Sequence, residues 1–201
     1  MLEIGAGVGV LASLMVNQGV NYRGVEPSPF FYRQLLNNFP HLKNKVICGL
    51  DMDSYFKYNN FDLIVAVDVL QHIPYPVEFL IQLKKYLKKD GILYIELPSE
   101  FLLKLKAAGR RLLGLYFYSP VHPGHINFFT KKTFKIVLSN SGFKPHKLYQ
   151  ITLAGDHFRM AMTLKRKLSL LLRFFSAFIK FSKIDILLQQ GNLVVVAMND
   201  S

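Results

Sequence analysis

Short apolar stretches rich in β-branched residues alternate along the chain with longer stretches of helical periodicity. This alternation is typical of a mostly parallel sheet covered by helices on both faces. Five strands are predicted in the first half of the chain, at Met1–Ile4, Tyr22–Val25, Lys45–Cys48, Phe61–Val67 and Gly91–Leu97. The first is short for a strand in the middle of a parallel sheet.

Between the strands, apolar positions recur every three to four residues, as in amphipathic helices. Ser28 and Pro29 have the residue types of an N-cap and a first helical position, and Gly142 is typical of a helix end. The predicted helices are Val10–Gln18, Pro29–Asn38, Pro76–Leu87 and Thr130–Ser141. Two further strands, Phe143–Leu153 and Asn192–Met198, are expected to pair antiparallel at one edge of the sheet.

A chain of 201 residues is long enough for one α/β domain with its own core. We therefore predict a single domain over residues 1–201, with a Rossmann-like, mostly parallel seven-stranded sheet, helices on both faces, a short first strand and an antiparallel edge hairpin. Cys48 lies in an apolar run and is expected to be buried in a reducing compartment. No secretory signal and no long uncharged apolar run is evident, which favours a cytoplasmic protein.

The net charge of +12 is confined to one half of the chain. Residues 1–98 carry nine basic and nine acidic side chains, whereas residues 99–201 carry 16 and four. This asymmetry favours an anionic partner or surface, or else a solvated basic face. Basic and small polar residues between 159 and 183 recur at helical spacing and form a narrow polar stripe. That segment is expected to pack as core or lid, or to make peripheral membrane contact.

Glycines at alternate positions follow the first predicted strand. Gly5, Gly7 and Gly9 stand where the strand must turn into a helix, and glycine allows both a positive φ and close approach of a ligand to the backbone. Glu26 stands at the end of the second strand, where an acidic residue can hold ribose hydroxyls. This combination predicts a nucleotide-type cofactor site. The third glycine comes one residue too early for the G-x-G-x-x-G spacing of nicotinamide sites.

The pattern E-x-G-x-G-x-G at residues 3–9 resembles motif I of the class I S-adenosylmethionine-dependent methyltransferases. Residues 61–74 and 89–98 resemble the fourth- and fifth-strand blocks of that class, except that Gln71 stands where Glu is commoner. Residues 125–143 are similar to a segment of bacterial members, many of which are associated with glycan or secondary-metabolite pathways. As a set, these motifs identify the chain as resembling the small-molecule or glycan type of this class.

The resemblance covers roughly residues 1–145 and implies S-adenosylmethionine as the cofactor. Members of the class usually carry helices before the first strand, so we expect this chain to be truncated at its N-terminus. Residues 1–98 would form the cofactor-binding half. Residues 99–201 would form a basic, substrate-side half with an inserted helix at about 158–183.

Carried onto this sequence, the resemblance implies a role for each candidate site residue. Glu3 and the backbone of the three glycines would line the amino-acid end of the cofactor, and Glu26 would chelate the ribose diol. Asp51 would accept a hydrogen bond from the adenine amino group, with Asp53 as the neighbouring alternative. Asp68 would face the methionine moiety or the substrate mouth.

Methyl transfer from a sulfonium depends mainly on alignment of donor and acceptor, but an oxygen acceptor usually benefits from a general base. His72 is the candidate catalytic residue, because it follows the fourth strand at the edge where ligands collect in open α/β sheets. The alternative is a packed structural histidine. His122 and His125 could contact substrate from a loop, and no metal site is expected because no carboxylate or thiol accompanies them.

These observations favour methyl transfer from S-adenosylmethionine to an oxygen of a small-molecule, sugar or lipid-linked acceptor, with an anionic acceptor in keeping with the basic second half. A nucleic acid partner is not expected, because residues 68–71 lack the Asp/Asn-Pro-Pro-aromatic signature that grips a flat base. Two alternatives stay open. One is a cofactor-binding but inactive fragment or pseudoenzyme, and the other is a NAD-type Rossmann oxidoreductase.

Overall fold

The computed structural model of the chain describes residues 1–98, 124–152 and 191–199. Strands in these ranges are β1 (Leu2–Ile4), β2 (Arg23–Glu26), β3 (Val46–Cys48), β4 (Phe61–Val67), β5 (Leu87–Pro98), β6 (Lys144–Thr152) and β7 (Gly191–Met198). The helices are α1 (Val10–Asn17), α2 (Pro29–Asn38), α3 (Pro76–Tyr86) and α4 (Lys131–Asn140). The helix expected at 158–183 and His122 lie outside the described residues.

The described strands form one sheet in the order β3-β2-β1-β4-β5-β7-β6. Strands β1 to β5 run parallel, and β7 pairs antiparallel with both β5 and β6. The predicted fold class, including its short first strand and antiparallel edge, is therefore confirmed. Because β2 and β4 flank β1, the strand order reverses there, and the carboxyl ends of these strands border the crevice that binds ligands in such sheets.

The sheet is covered on both faces, and each face has its own core. Leu2 and Ile4 of β1 belong to the larger core, together with residues from α3 and α4. On the opposite face a smaller core contains Ala12 of α1 and Leu35 of α2. The alternation of side chains along β1 therefore assigns its odd position, Glu3, to the smaller core.

Local sequence signals set most of the element boundaries. Helix α2 spans the predicted residues, because the Ser28 hydroxyl accepts from the backbone of its first turn and Pro29 follows. Strand β5 begins four residues earlier than predicted, at Leu87. Leu87 already pairs with Phe61, and the pairing then shifts so that Leu63 lies opposite Ile92. The first part of β5 therefore contains a β-bulge, between Leu87 and Ile92.

The expectation that Cys48 is buried is wrong, because its side chain is exposed. Cys48 ends β3, which lies at the margin of the sheet and pairs only with β2 among the described strands. An edge strand has a neighbour on one side only, which leaves its last residue open to solvent. Within the described ranges, none of the helices has the length and apolar character needed to cross a bilayer.

Candidate cofactor and acceptor site

The loop between β1 and α1 is built from glycines in the left-handed region. The φ angle is 76° at Gly5, 54° at Gly7 and 87° at Gly9, which costs a residue with a Cβ roughly 1–2 kcal/mol. A Cβ at Gly5 would lie 2.7 Å from Val69, and one at Gly9 would lie 2.8 Å from Leu35. At Gly7, no described atom lies within 4 Å of the Cβ position. The loop is therefore packed at its two ends and open in the middle, where a ligand has room to approach.

Glu26, the last residue of β2, ties this loop to the next turn. Its Oε2 accepts from the backbone N–H of Gly7 at 2.7 Å, and its Oε1 accepts from that of Ser28 at 2.8 Å. The side chain is only 4% exposed. Charge-assisted bonds of this kind are among the stronger ones in proteins, so Glu26 fixes the position of the loop.

Glu3 lies beneath the loop and is almost completely buried, with 5% of its surface exposed. The hydroxyl of Tyr22 donates a hydrogen bond to its carboxyl group. Burial raises the pKa of Glu3 to about 7; the Tyr22 hydrogen bond opposes this rise, and the nearby charge of Glu26 adds to it. Burial and the same carboxyl group also raise the pKa of the Tyr22 hydroxyl.

The two aspartates that follow β3 have different partners. Asp51 is exposed and closes a local turn, in which its carboxylate accepts from the Ser54 backbone at 3.3 Å and from the Ser54 hydroxyl at 2.6 Å. Asp53 instead accepts from the hydroxyls of Tyr58 and Tyr86. Tyr86 ends α3, and its carbonyl oxygen accepts a hydrogen bond from the N–H of Asn60, the residue just before β4. Asp53 is thereby held toward the amino end of β4, away from the glycine loop.

A second group of polar side chains lies at the carboxyl ends of β4 and β5. Asp68 follows β4 with a φ of 55°, and its N–H donates to the carbonyl oxygen of Glu96 in β5 at 2.9 Å. Burial and then the Glu96 charge raise the pKa of Asp68, whereas a hydrogen bond from Gln71 and the nearby His125 and His72 lower it. Two carboxylates and two histidines therefore share this edge of the sheet.

Residues 124–127 form a strap across the turn that follows β4. The consecutive N–H groups of Ile126 and Asn127 both donate to the carbonyl oxygen of Gln71, each at 3.0 Å. The side-chain amide of Asn127 also donates to the carbonyl oxygen of Ile73. These bonds bring the second half of the sequence against the end of β4.

His72 and His125 meet because of this strap. The Nδ1 of His72 lies 2.7 Å from the carbonyl oxygen of Gly124, and the ring centroids of His72 and His125 are 4.9 Å apart at 76°. A carbonyl oxygen can only accept, so Nδ1 of His72 carries the proton and Nε2 carries the lone pair of the neutral ring. The strap therefore fixes the tautomer of His72.

The predicted site residues thus fall into two groups. Glu3, the three glycines and Glu26 come together at the carboxyl ends of β1 and β2, whereas Asp68 and His72 lie beyond β4. Asp51 lies on the loop after β3, with bonds to Ser54 rather than to either group. Sequence reasoning missed Tyr22 and Glu96. The signals were Gly24, since a glycine inside a strand indicates close approach, and an acidic residue at the carboxyl end of β5.

The family profile described as methyltransferase domain matches residues 1–148, about three quarters of the chain. The chain belongs to this family. Its members use S-adenosylmethionine, which agrees with the cofactor predicted from the glycine loop. The open space beside Gly7 and the buried acid at the end of β2 fit a cofactor of this kind.

Two curated relatives show how widely this methyltransferase domain is used. A ubiquinone biosynthesis O-methyltransferase of Actinobacillus pleuropneumoniae is 25% identical over 111 residues, covering 47% of this chain and 43% of the relative. A tRNA U34 carboxymethyltransferase of Pseudoalteromonas translucida is 30% identical over 99 residues, covering 48% of this chain and 31% of the relative. The chain thus spans less than half the length of either protein. Because one of them is named for tRNA, the comparisons do not support the expected exclusion of nucleic acid.

Among solved structures, a SAM-dependent methyltransferase from Archaeoglobus fulgidus has the same fold. Its TM-score is 0.66 at 18% identity, with 98% of this chain and 84% of that chain covered. The methyltransferase fold differs from the dinucleotide-binding fold, whose six parallel strands run in the order 3-2-1-4-5-6, because here β7 lies antiparallel between β5 and β6. The sheet therefore does not favour the NAD-type alternative.

Proposed function

We propose that this chain binds S-adenosylmethionine at the glycine loop and transfers its methyl group to an oxygen of a small-molecule or glycan acceptor. The observation that carries the proposal is the arrangement around Gly7. Its N–H donates to the Glu26 carboxylate, while the space that a Cβ would occupy at this position is open. A rigid loop with an open middle is what close approach of a nucleotide cofactor requires.

In this proposal, residues 1–98 hold the cofactor. Glu26 binds the ribose diol, and the loop backbone with Glu3 lines the amino-acid end. Asp51 accepts from the adenine amino group, in preference to Asp53, which the Tyr86 hydroxyl holds toward the amino end of β4 and away from the glycine loop. When bound, S-adenosylmethionine supplies a methyl group on a positively charged sulfur that is already an activated leaving group, so the chain's task is mainly alignment.

The acceptor site of the proposal lies at the carboxyl ends of β4 and β5. His72 is the general base that takes the hydroxyl proton of the acceptor at Nε2, because the Gly124 carbonyl fixes the proton of the neutral ring at Nδ1. The Asp68 carboxylate, whose charge interacts with His72, stabilises the imidazolium that forms. The strap of residues 124–127 is the part of the substrate-side half that reaches this site.

The test combines binding with turnover. Calorimetry should detect S-adenosylmethionine binding, and S-adenosylhomocysteine should be released with at least one hydroxyl acceptor from a panel of phenols, sugars and lipid-linked sugars. Bulk tRNA belongs in the same panel, since release with tRNA alone would overturn the acceptor class. Binding without turnover across the panel would favour a non-catalytic protein. Binding of NADH without S-adenosylmethionine would overturn the whole proposal.

A further inference from the structure

Few charged residues lie on the elements around the buried pair of Glu3 and Tyr22. Tyr22 has no exposed surface. Helix α1 carries no charged residue, and Arg33, the only charged residue of α2, is exposed. On the other side of β1, the residue of β4 that pairs with Glu3 is Val65. Besides burial, the groups that shift the pKa of the Glu3 carboxyl are therefore Tyr22 and Glu26, and both lie on the β2 side of β1.

The sequence of β2 makes room for the pair. Gly24 lies opposite Glu3 in the parallel pairing of β1 and β2. A Cβ at Gly24 would fall well inside contact distance of the Tyr22 hydroxyl oxygen. Any side chain at this position would displace the phenol from the Glu3 carboxyl. The glycine therefore allows the tyrosine to lie across the strand and reach the acid.

The pair also bears on the charge beneath the loop. Burial of Glu3 and the negative charge of the nearby Glu26 both raise the pKa of Glu3, so both favour its protonated form near neutral pH. S-adenosylmethionine carries a sulfonium, an ammonium and a carboxylate group, and its net charge is positive. A cation bound at the loop favours the ionised form of Glu3, so binding is linked to release of a proton. The Tyr22 hydroxyl, as a donor to the ionised form, determines the pH at which this occurs.

We propose that Tyr22 is a positioning residue of the cofactor site, whose hydroxyl holds the Glu3 carboxyl beneath the glycine loop and makes binding of the cationic cofactor tighten with rising pH. This inference rests on the proposed function, because it takes the glycine loop as the S-adenosylmethionine site.

The test is calorimetric titration with S-adenosylmethionine at several pH values from about 6 to about 8.5, on either side of the pKa of Glu3. In the wild-type protein the dissociation constant should fall as pH rises through about 7, with proton release detected by comparing buffers of different ionisation enthalpy. Tyr22→Phe removes only the hydroxyl. It should move the midpoint up by about one pH unit and weaken binding at pH 7 about fivefold, whereas the two proteins should converge at high pH.

Two variants separate positioning from packing. Glu3→Gln should abolish the pH dependence and the associated proton release, because it has no group to titrate. Tyr86→Phe is the matched control, since Tyr86 is also a buried tyrosine that donates to a carboxylate, that of Asp53, outside the loop. Whatever its effect on the melting temperature, it should leave the pH profile of binding unchanged.

Gly24→Ala is an independent way to break the hydrogen bond between Tyr22 and Glu3. Its Cβ should push the hydroxyl away from Glu3 and shift the pH profile in the direction of Tyr22→Phe. In the Tyr22→Phe background the same alanine has no hydroxyl to displace, so the two changes should be less than additive. This cycle also tests the inference if one single variant folds poorly.

The inference is overturned if Tyr22→Phe or Gly24→Ala lowers stability but keeps the wild-type pH profile, since Tyr22 would then only fill space. It is also overturned if the wild-type protein binds with no pH dependence that Glu3→Gln removes. A different result, no S-adenosylmethionine binding by the folded wild-type protein at any pH, would reject the proposed function itself.

Discussion

The two groups of polar residues at the carboxyl edge of the sheet are built differently. Beneath the glycine loop, Glu3 and Glu26 are buried, and their oxygens accept from donors supplied by the protein. Beyond β4, His72 is exposed and the Asp68 carboxyl is only partly buried, and a strap from a distant part of the sequence contributes His125. The first arrangement suits one fixed ligand. The second arrangement suits a ligand that differs between related proteins, because the protein side chains in this region can change without loss of buried structure.

The largest effect that tests this contrast is expected on turnover. His72→Gln removes the proposed base, so kcat for the acceptor found in the turnover screen should fall about 100-fold, while the dissociation constant of S-adenosylmethionine stays unchanged. Steady-state kinetics and calorimetry measure the two quantities. His41→Gln is the control, since His41 is an exposed histidine on the turn before β3. If His72→Gln weakens cofactor binding as much as it slows turnover, the two regions are not separate.

A smaller effect is expected from Glu26→Gln. The amide has one acceptor oxygen where the carboxylate has two, so either Gly7 or Ser28 loses its acceptor and faces an NH₂ group. The amide is also a weaker acceptor for the ribose diol, and loss of one charge-assisted bond to the diol, about 2 kcal/mol, should raise the dissociation constant of S-adenosylmethionine about 30-fold. Asp62→Asn, which removes an exposed charge paired with Lys88, should not change it. Equal affinity for wild type and Glu26→Gln would remove Glu26 from the site.

The smallest effect comes from a matched pair of glycines. Gly7 and Gly19 both have positive φ and no described atom near the Cβ position, but Gly19 follows the far end of α1. Gly7→Ala and Gly19→Ala should each cost about 1 kcal/mol of folding stability. Only Gly7→Ala should also weaken cofactor binding, by about tenfold, as thermal melts with and without S-adenosylmethionine would show. Similar ligand-induced shifts in both variants would mean that the cofactor does not approach the loop at Gly7.

Much of the fold follows from signals within a few residues of each boundary. Ser28 and Pro29 are sufficient to place the start of α2, and Gly142, with a φ of 73°, ends α4 where a glycine is expected. The start of β5 was not predictable in this way. It depends on the pairing of Leu87 with Phe61 and on a shift of register, which are properties of two strands together.

The same distinction applies to the site. Glu26 was recognisable from the sequence because one strand-helix-strand unit sets the number of residues between the glycines and the acidic residue. The contact between Glu3 and Tyr22 depends on the register of β1 against β2, and that between His72 and His125 joins residues 53 positions apart in the sequence. Asp51 and Asp53 could not be separated by sequence alone, since the tyrosines that bind Asp53 lie on the loop before β4 and at the end of α3.

The strap of residues 124–127 has a consequence for how this protein can evolve. It is fastened to Gln71 through the backbone N–H groups of Ile126 and Asn127, and to His72 through the backbone carbonyl of Gly124. The side chains of His125 and Ile126 take no part in these bonds. Substitutions at 125 and 126 can therefore change the chemistry of the proposed acceptor site while the backbone keeps its place. A lineage could exchange one acceptor for another by point mutation, without first losing the site.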